Sequence, residues 1–147
     1  METFPDFEEF FALLNSNEVR YLVVGGYAFS VHAKPRYTDD LDIFVSRDNE
    51  NARRLLSVLN EFGFGEIGFD RDTLIKPNQV IQLGISPYKI EILTSIDGVD
   101  FEEAWPNQFT GVYGEQPVSF IGRHDLIHNK RMAGRTRDLA DLEDLID

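Results

Sequence analysis

The chain has 147 residues, a formal charge of −12, 42% hydrophobic and 27% charged residues, twelve Phe and no Cys. That is the size and composition of one globular domain, residues 1–147, with enough apolar material for a core; disulfides, thiol catalysis and Cys-ligated zinc are excluded. The acidic balance argues against duplex DNA as a partner, no apolar run reaches the roughly 20 residues a bilayer requires, and the acidic start Met1-Glu-Thr-Phe-Pro-Asp6 is unlike a secretory leader, so a cytoplasmic location is expected.

From the N-terminus, Phe7, Phe10, Phe11 and Leu14 recur at helical spacing, predicting a helix over Phe4–Asn15 with Asp6 as its cap. Val19–Val24 is an apolar, β-branched run and reads as a buried strand. A diglycine, Gly25-Gly26, follows and opens a short helix to Ala33. Asp42–Val45 reads as a second strand. Asp48 is placed to cap a helix reaching about Phe62, with Ala52, Leu55, Leu56 and Leu59 as its inward stripe, and Gly63 and Gly65 end it. Val80–Ile85 and Tyr88–Leu93 predict a hairpin about Ser86-Pro87, the second arm turning Glu91 away from the face that Ile90 and Ile92 bury. A helical piece at Phe101–Trp105, a hairpin from Gln108–Tyr113 and Pro117–Ile121, and two helices, Arg123–Ala133 and Thr136–Ile146, complete the chain. Strands and helices mix without strict alternation, so the fold class is α+β: a mixed β-sheet flanked by helices, with a C-terminal helical pair.

Chemistry concentrates at Asp40-Leu-Asp42. Side chains two apart on a strand share a face, so these carboxylates project together and repel unless a cation lies between them. A divalent metal is the usual cation, and the upstream diglycine lets backbone amides approach a phosphate. Metal and phosphate together point to nucleotide chemistry, with Glu91 as the third acid if its strand neighbours that of Asp42.

In this pattern the chain resembles the nucleotidyltransferase superfamily, whose fold is shared with polymerase β: an apolar strand, Gly-Gly or Gly-Ser, a short helix, Asp-x-Asp, then an acid on a later strand. Gly25-Gly26, Asp40-Leu-Asp42 and Glu91 match in order and spacing. Closer still is a small bacterial branch related to minimal nucleotidyltransferases and abortive-infection toxin enzymes, which also carries a terminal Lys…Arg-x-x-Asp-Leu-x-Asp pattern, here Lys130 and Arg137-Asp-Leu-Ala-Asp141. The resemblance spans Val19–Leu145. It departs at Gly26, which brings no serine hydroxyl, and at Glu91, where Asp is usual.

The resemblance implies transfer of a nucleoside monophosphate from a nucleoside triphosphate to an acceptor hydroxyl on a protein, a tRNA end or a small molecule such as an aminoglycoside. Asp40, Asp42 and Glu91 would hold two magnesium ions, or manganese, and Glu91 would take the acceptor's proton. Gly25, Gly26 and the Tyr27 amide would cradle phosphate, with Lys130 and Arg36 as cations toward the triphosphate. A protein partner, a homodimer or a toxin–antitoxin pairing would complete the site. The alternative is a non-catalytic module of the same fold that binds nucleotide or a protein. Asp138 and Asp141 read as ion-pair partners of neighbouring basic residues, Arg135 and Arg137 among them, and His124 with His128 as a surface pair without a third ligand.

Overall fold

Pro5 opens helix α1 (Pro5–Ser16), since its fixed φ suits a first turn and its missing N–H belongs to a position that lacks a helical partner. Phe4 takes the cap, so Asp6 is an acid of the first turn and not the cap the sequence suggested. The computed structural model describes residues 3–64, 70–85 and 87–146. Strand β1 (Tyr21–Val24) is wholly buried and runs straight into α2 (Gly25–His32), with Gly25 at φ +69°, a conformation glycine adopts without a Cβ penalty.

Strand β2 (Leu41–Val45) follows, then α3 (Asn49–Glu61), where the Asp48 carboxylate accepts the Glu50 N–H at 3.2 Å as the sequence predicts. Gly65, expected to help end α3, lies outside the described residues. Helix α4 (Arg71–Leu74) is one turn, too short for apolar periodicity to announce; Asp70 caps it through the Thr73 N–H at 2.9 Å. Strands β3 (Val80–Leu83) and β4 (Ile90–Leu93) form the expected hairpin, with Ser86 outside the described residues. Helix α5 (Phe101–Ala104) continues as a 3-10 turn, and β5 (Phe109–Tyr113), β6 (Gln116–Phe120), α6 (Arg123–Ala133) and α7 (Thr136–Ile146) close the chain.

The six strands form one mixed sheet in the order β3-β4-β2-β1-β6-β5. Strands β2 and β4 are parallel, as are β1 and β6; the other neighbours are antiparallel. On one face Tyr21 meets Phe11 of α1, ring centroids 6.0 Å apart. On the other, Phe44 meets Phe101 of α5 at 5.1 Å. Asp42 shares the Phe44 face by strand alternation, and β4 brings Glu91 into register beside it. Helix α2 lies against β1 and β2 and touches α6 and α7, so the C-terminal pair borders the same end of the sheet. Among the described residues, no helix is long and apolar enough to cross a membrane.

Candidate active site

Parallel pairing of β2 and β4 sets Asp42 directly opposite Glu91. Asp40, just before β2, accepts the Lys89 N–H at 3.2 Å, which ties the acid pair to the start of β4. All three acids line one open cleft of about 860 Å³, together with Gly25, Gly26, Arg36 and Lys130. Sequence residues 25 to 130 therefore converge at one end of the sheet, and Glu91 stands on the same side as the aspartates.

The electrostatics are those of an acid cluster awaiting countercharge. Burial, the Glu91 charge and the Asp40 charge together push the Asp42 carboxyl up from 3.8 to about 6. Lys89, which sequence reasoning passed over, supplies part of the relief: its ammonium is 2.9 Å from Glu91 Oε1 and 3.9 Å from Asp40 Oδ2. The Glu91 hydrogen bond in turn raises the Lys89 pKa, locking in its positive charge. Among the described residues no group of three His, Cys, Asp or Glu side chains closes into a metal cage. The donor set nonetheless suits a hard divalent cation: oxygen ligands only, mutually repelling, with a tethered ammonium already drawn between two of them. In the wall of the same cleft, Asp39 Oδ1 is buried and has no hydrogen-bond partner among the described residues.

The diglycine is needed for space as well as for backbone angle. A Cβ on Gly25 would come within 2.3 Å of Asp42 Oδ2, so only glycine lets the helix start close over the carboxylate. A Cβ on Gly26 would meet Thr38 Oγ1 at 2.8 Å. Thr38 thus fills the space a serine at position 26 would need and brings its own hydroxyl to the N-terminus of α2. No local sequence signal marks that substitution, because Thr38 lies twelve residues downstream in a loop.

The cations proposed for the triphosphate are placed differently from the acids. Lys130 lines the cleft but is only 6% exposed, with its ammonium 2.9 Å from Asp141 Oδ2 and 3.3 Å from Asp138 Oδ1. Gly134, left-handed at φ +65°, folds α7 back along α6 and so delivers those acids to it. Arg36 makes a two-pronged pair with Asp141 and lies over the Phe29 ring at 3.8 Å. Burial alone would raise the Asp141 carboxyl, but the hydrogen bonds from Arg36 and Lys130 bring it below its ordinary value. Asp138 is lowered in the same way, against its burial, by Arg135 and Lys130. The terminal basic-acidic pattern is therefore a buried ion cluster that joins α7 to α6 and to the loop before Asp40. Arg137 makes no hydrogen bond or ion pair among the described residues; it lines the cleft, and its charge acts on Asp42. His32 is satisfied, its Nε2 being 2.7 Å from the Ile121 carbonyl.

A helix N-terminus over Asp-x-Asp, with an acid beside it on a parallel strand, defines the nucleotidyltransferase class. The chain belongs to the aminoglycoside-2''-adenylyltransferase family, whose model matches residues 7–130. Among solved structures it is similar to a Thermotoga maritima protein named as a candidate nucleotidyltransferase, with a TM-score of 0.62 and 16% identity over 99% of this chain and 95% of that one. It is also similar to an antigenic nucleotidyltransferase-like protein from Paracoccidioides brasiliensis, TM-score 0.52 and 15% identity, over 95% and 74% of the two chains. No curated protein matches the chain in sequence.

Proposed function

We propose that the protein transfers a nucleoside monophosphate from a nucleoside triphosphate to an acceptor hydroxyl, with magnesium, or manganese in its place, held by Asp40, Asp42 and Glu91. The observation that carries this reading is the Asp42–Glu91 register beneath the Gly25-Gly26 helix start, which puts acid and amide donors in one cleft. Bound metal would neutralise charge on the triphosphate and activate the attacking oxygen. The amides of Gly25, Gly26 and Tyr27 bind phosphate at the N-terminus of α2. Glu91 accepts the hydroxyl proton as the oxygen bonds to the α-phosphorus and pyrophosphate departs. Arg137 meets the triphosphate in the part first given to Lys130, while Lys130 and Arg36 hold the wall behind it.

The family name suggests an aminoglycoside acceptor; a tRNA end or a protein side chain is the other choice, in a toxin–antitoxin setting in the cytoplasm with a protein partner or a second copy covering the open cleft. Calorimetric titration with each triphosphate and magnesium, followed by pyrophosphate release on incubation with host lysate, tests the reading. Glu91→Gln should bind nucleotide and release no pyrophosphate; full turnover in that variant would refute the assignment. A second reading is nucleotide binding without transfer. It is favoured by one feature, the Lys89 ammonium set between Asp40 and Glu91. Binding with no release from the unaltered protein under any acceptor would select it.

A further inference from the structure

A second cavity, of about 640 Å³, borders the acid cleft, and Arg36, Tyr37 and Thr38 line both. Phe4, Tyr27, Tyr37, Tyr88 and Tyr113 give it aromatic walls. The border is the loop that leads through Tyr37-Thr-Asp-Asp40 into β2. Thr38 and Asp40 are accounted for: the Thr38 hydroxyl donates to the Asp40 carbonyl at 3.3 Å, and the Asp40 carboxylate accepts the Lys89 N–H. Asp39 lies between them and belongs to neither the metal nor the phosphate set.

The other acids of this region face cations. Asp40 and Glu91 share Lys89, and Asp141 holds Arg36 and Lys130. Asp39 instead lines the cleft with a buried Oδ1 that accepts no hydrogen bond. Its influence extends into the aromatic cavity. Beside the Tyr37 hydroxyl, the Asp39 carboxylate pushes that phenol up to about 12, with Tyr88 adding to the effect. Tyr27 is raised first by burial, then by Tyr113 and Asp39. Tyr37 is 79% exposed and Tyr88 42%, so two aromatic side chains stand open at the rim near this carboxylate. The rim is also braced. Phe4 stacks on Tyr88 with centroids 4.3 Å apart, and the Tyr113 hydroxyl accepts the Phe4 N–H at 2.6 Å. Tyr88 sits at φ +74°, a conformation that bulky residues keep where surroundings over-determine it, commonly beside a ligand site.

We infer that Asp39 is the specificity-determining residue for the acceptor, pairing with an ammonium group of a polycationic aminosugar whose ring lies against Tyr37 and Tyr88. This assignment rests on the nucleotidyl-transfer reading and adds to it a residue that recognises the acceptor. Aromatic faces attract an ammonium, and a carboxylate completes the pairing with a charge-assisted hydrogen bond. Arg36, which lines both cavities, is matched by Asp141 and so does not oppose the incoming cation. A separate carboxylate for the sugar also leaves Asp40, Asp42 and Glu91 to the metal. An acceptor anchored at Asp39 spans the border, with a hydroxyl in the cleft that Glu91 lines. An RNA end would instead bring phosphate against Asp39, and the −12 chain repels a polyanion while drawing a polycation in.

The test is calorimetric titration of the full chain with kanamycin A in the presence of manganese and an ATP analogue bearing a methylene bridge between the α- and β-phosphorus, which blocks transfer. Saturable binding is expected. Asp39→Asn should weaken it at least about tenfold and leave binding of the manganese–analogue complex unchanged. Kanamycin with its amines acetylated keeps the hydroxyls without the charges, and should bind the wild type at least about tenfold more weakly. Tyr37→Ala, at an exposed position, should weaken kanamycin binding as well. Asp72→Asn, at an exposed acid that lines neither cavity, should change nothing. Absence of saturation, full binding by Asp39→Asn, or equal binding of the acetylated sugar overturns the inference. So does equal weakening by Asp72→Asn, which would reduce the effect to overall charge, or loss of the nucleotide by Asp39→Asn, which would place Asp39 in the metal site. Nucleotide binding without kanamycin binding would refute the role of Asp39 and leave the transfer reading standing. Asp39-dependent kanamycin binding by a chain that takes up no nucleotide would refute the transfer reading, and the acceptor role with it.

Discussion

Replacing Asp42 by Asn should make the metal-free protein more stable, though it removes a carboxylate that the proposed reaction needs. The Asp42 carboxyl is pushed from 3.8 to about 6 by burial and by Glu91 and Asp40, so its ionised form is held at a cost in the fold. A shift of roughly two units at 1.36 kcal/mol each corresponds to about 3 kcal/mol. The sign follows from proton binding. Between pH 4 and 6 the folded state keeps a proton that the unfolded chain releases, so wild-type stability falls as pH rises through that window and then levels. Asn has no proton to lose. Urea unfolding of the two proteins in the presence of a chelator should show little difference near pH 3.5 and a gain for Asp42→Asn approaching about 3 kcal/mol at pH 8. Adding magnesium at a hundred times its dissociation constant should return about 2.7 kcal/mol to the wild type and little to the variant. A pH-independent difference, or a variant less stable at pH 8, would show that the carboxylate is not strained by its neighbours and would refute the argument.

Gly25→Ala would force a methyl within 2.3 Å of Asp42 Oδ2 at φ +69°; loss of about 1–3 kcal/mol by urea unfolding is expected, together with loss of nucleotide binding by calorimetry. Gly26→Ser should lower stability because Thr38 Oγ1 already occupies the space, and Thr38→Ala in the same chain should recover most of the loss. Lys130→Met leaves Asp138 and Asp141 buried without their shared cation and should cost about 3–5 kcal/mol in thermal or urea unfolding; a surface lysine would show almost nothing.

The acid cluster was legible because each of its parts has a local signature. Asp-x-Asp at a strand start shares a face by pleat alone, and Glu91 is marked as outward by the apolar Ile90 and Ile92 on either side of it. The side-by-side placement of Asp42 and Glu91 is a pairing between segments 49 residues apart, and only the resemblance to a known fold made it expected. What failed to show in the sequence depends on tertiary neighbours. Lys130 reads as a free surface cation until Gly134 turns α7 back and buries it between two acids. Lys89 reads as one charge of an alternating strand, and its contact with Asp40 across β2 has no linear trace. Asp6 looked like a cap because the pattern begins after it, but Pro5 moves the first turn forward.

These placements change how the charge of the site is balanced. Had Lys130 and Arg36 been free, a triphosphate could have been drawn in by them alone, ahead of any metal. With both committed to Asp141, the cleft presents Asp39, Asp40, Asp42, Glu91 and Asp97 against Lys89, Arg135, Arg137 and the half-charge of the α2 N-terminus. A bare triphosphate would meet net repulsion there, whereas a metal–triphosphate complex would bring the cation the acids lack. Nucleotide and metal should therefore bind with strong positive coupling, each weak without the other, and the Lys89 ammonium would have to leave Glu91 for the proposed complex to enter. On the proposed reading, that exchange would keep the acids paired when the cleft is free of nucleotide and would make the divalent cation, more than any arginine, the determinant of nucleotide affinity.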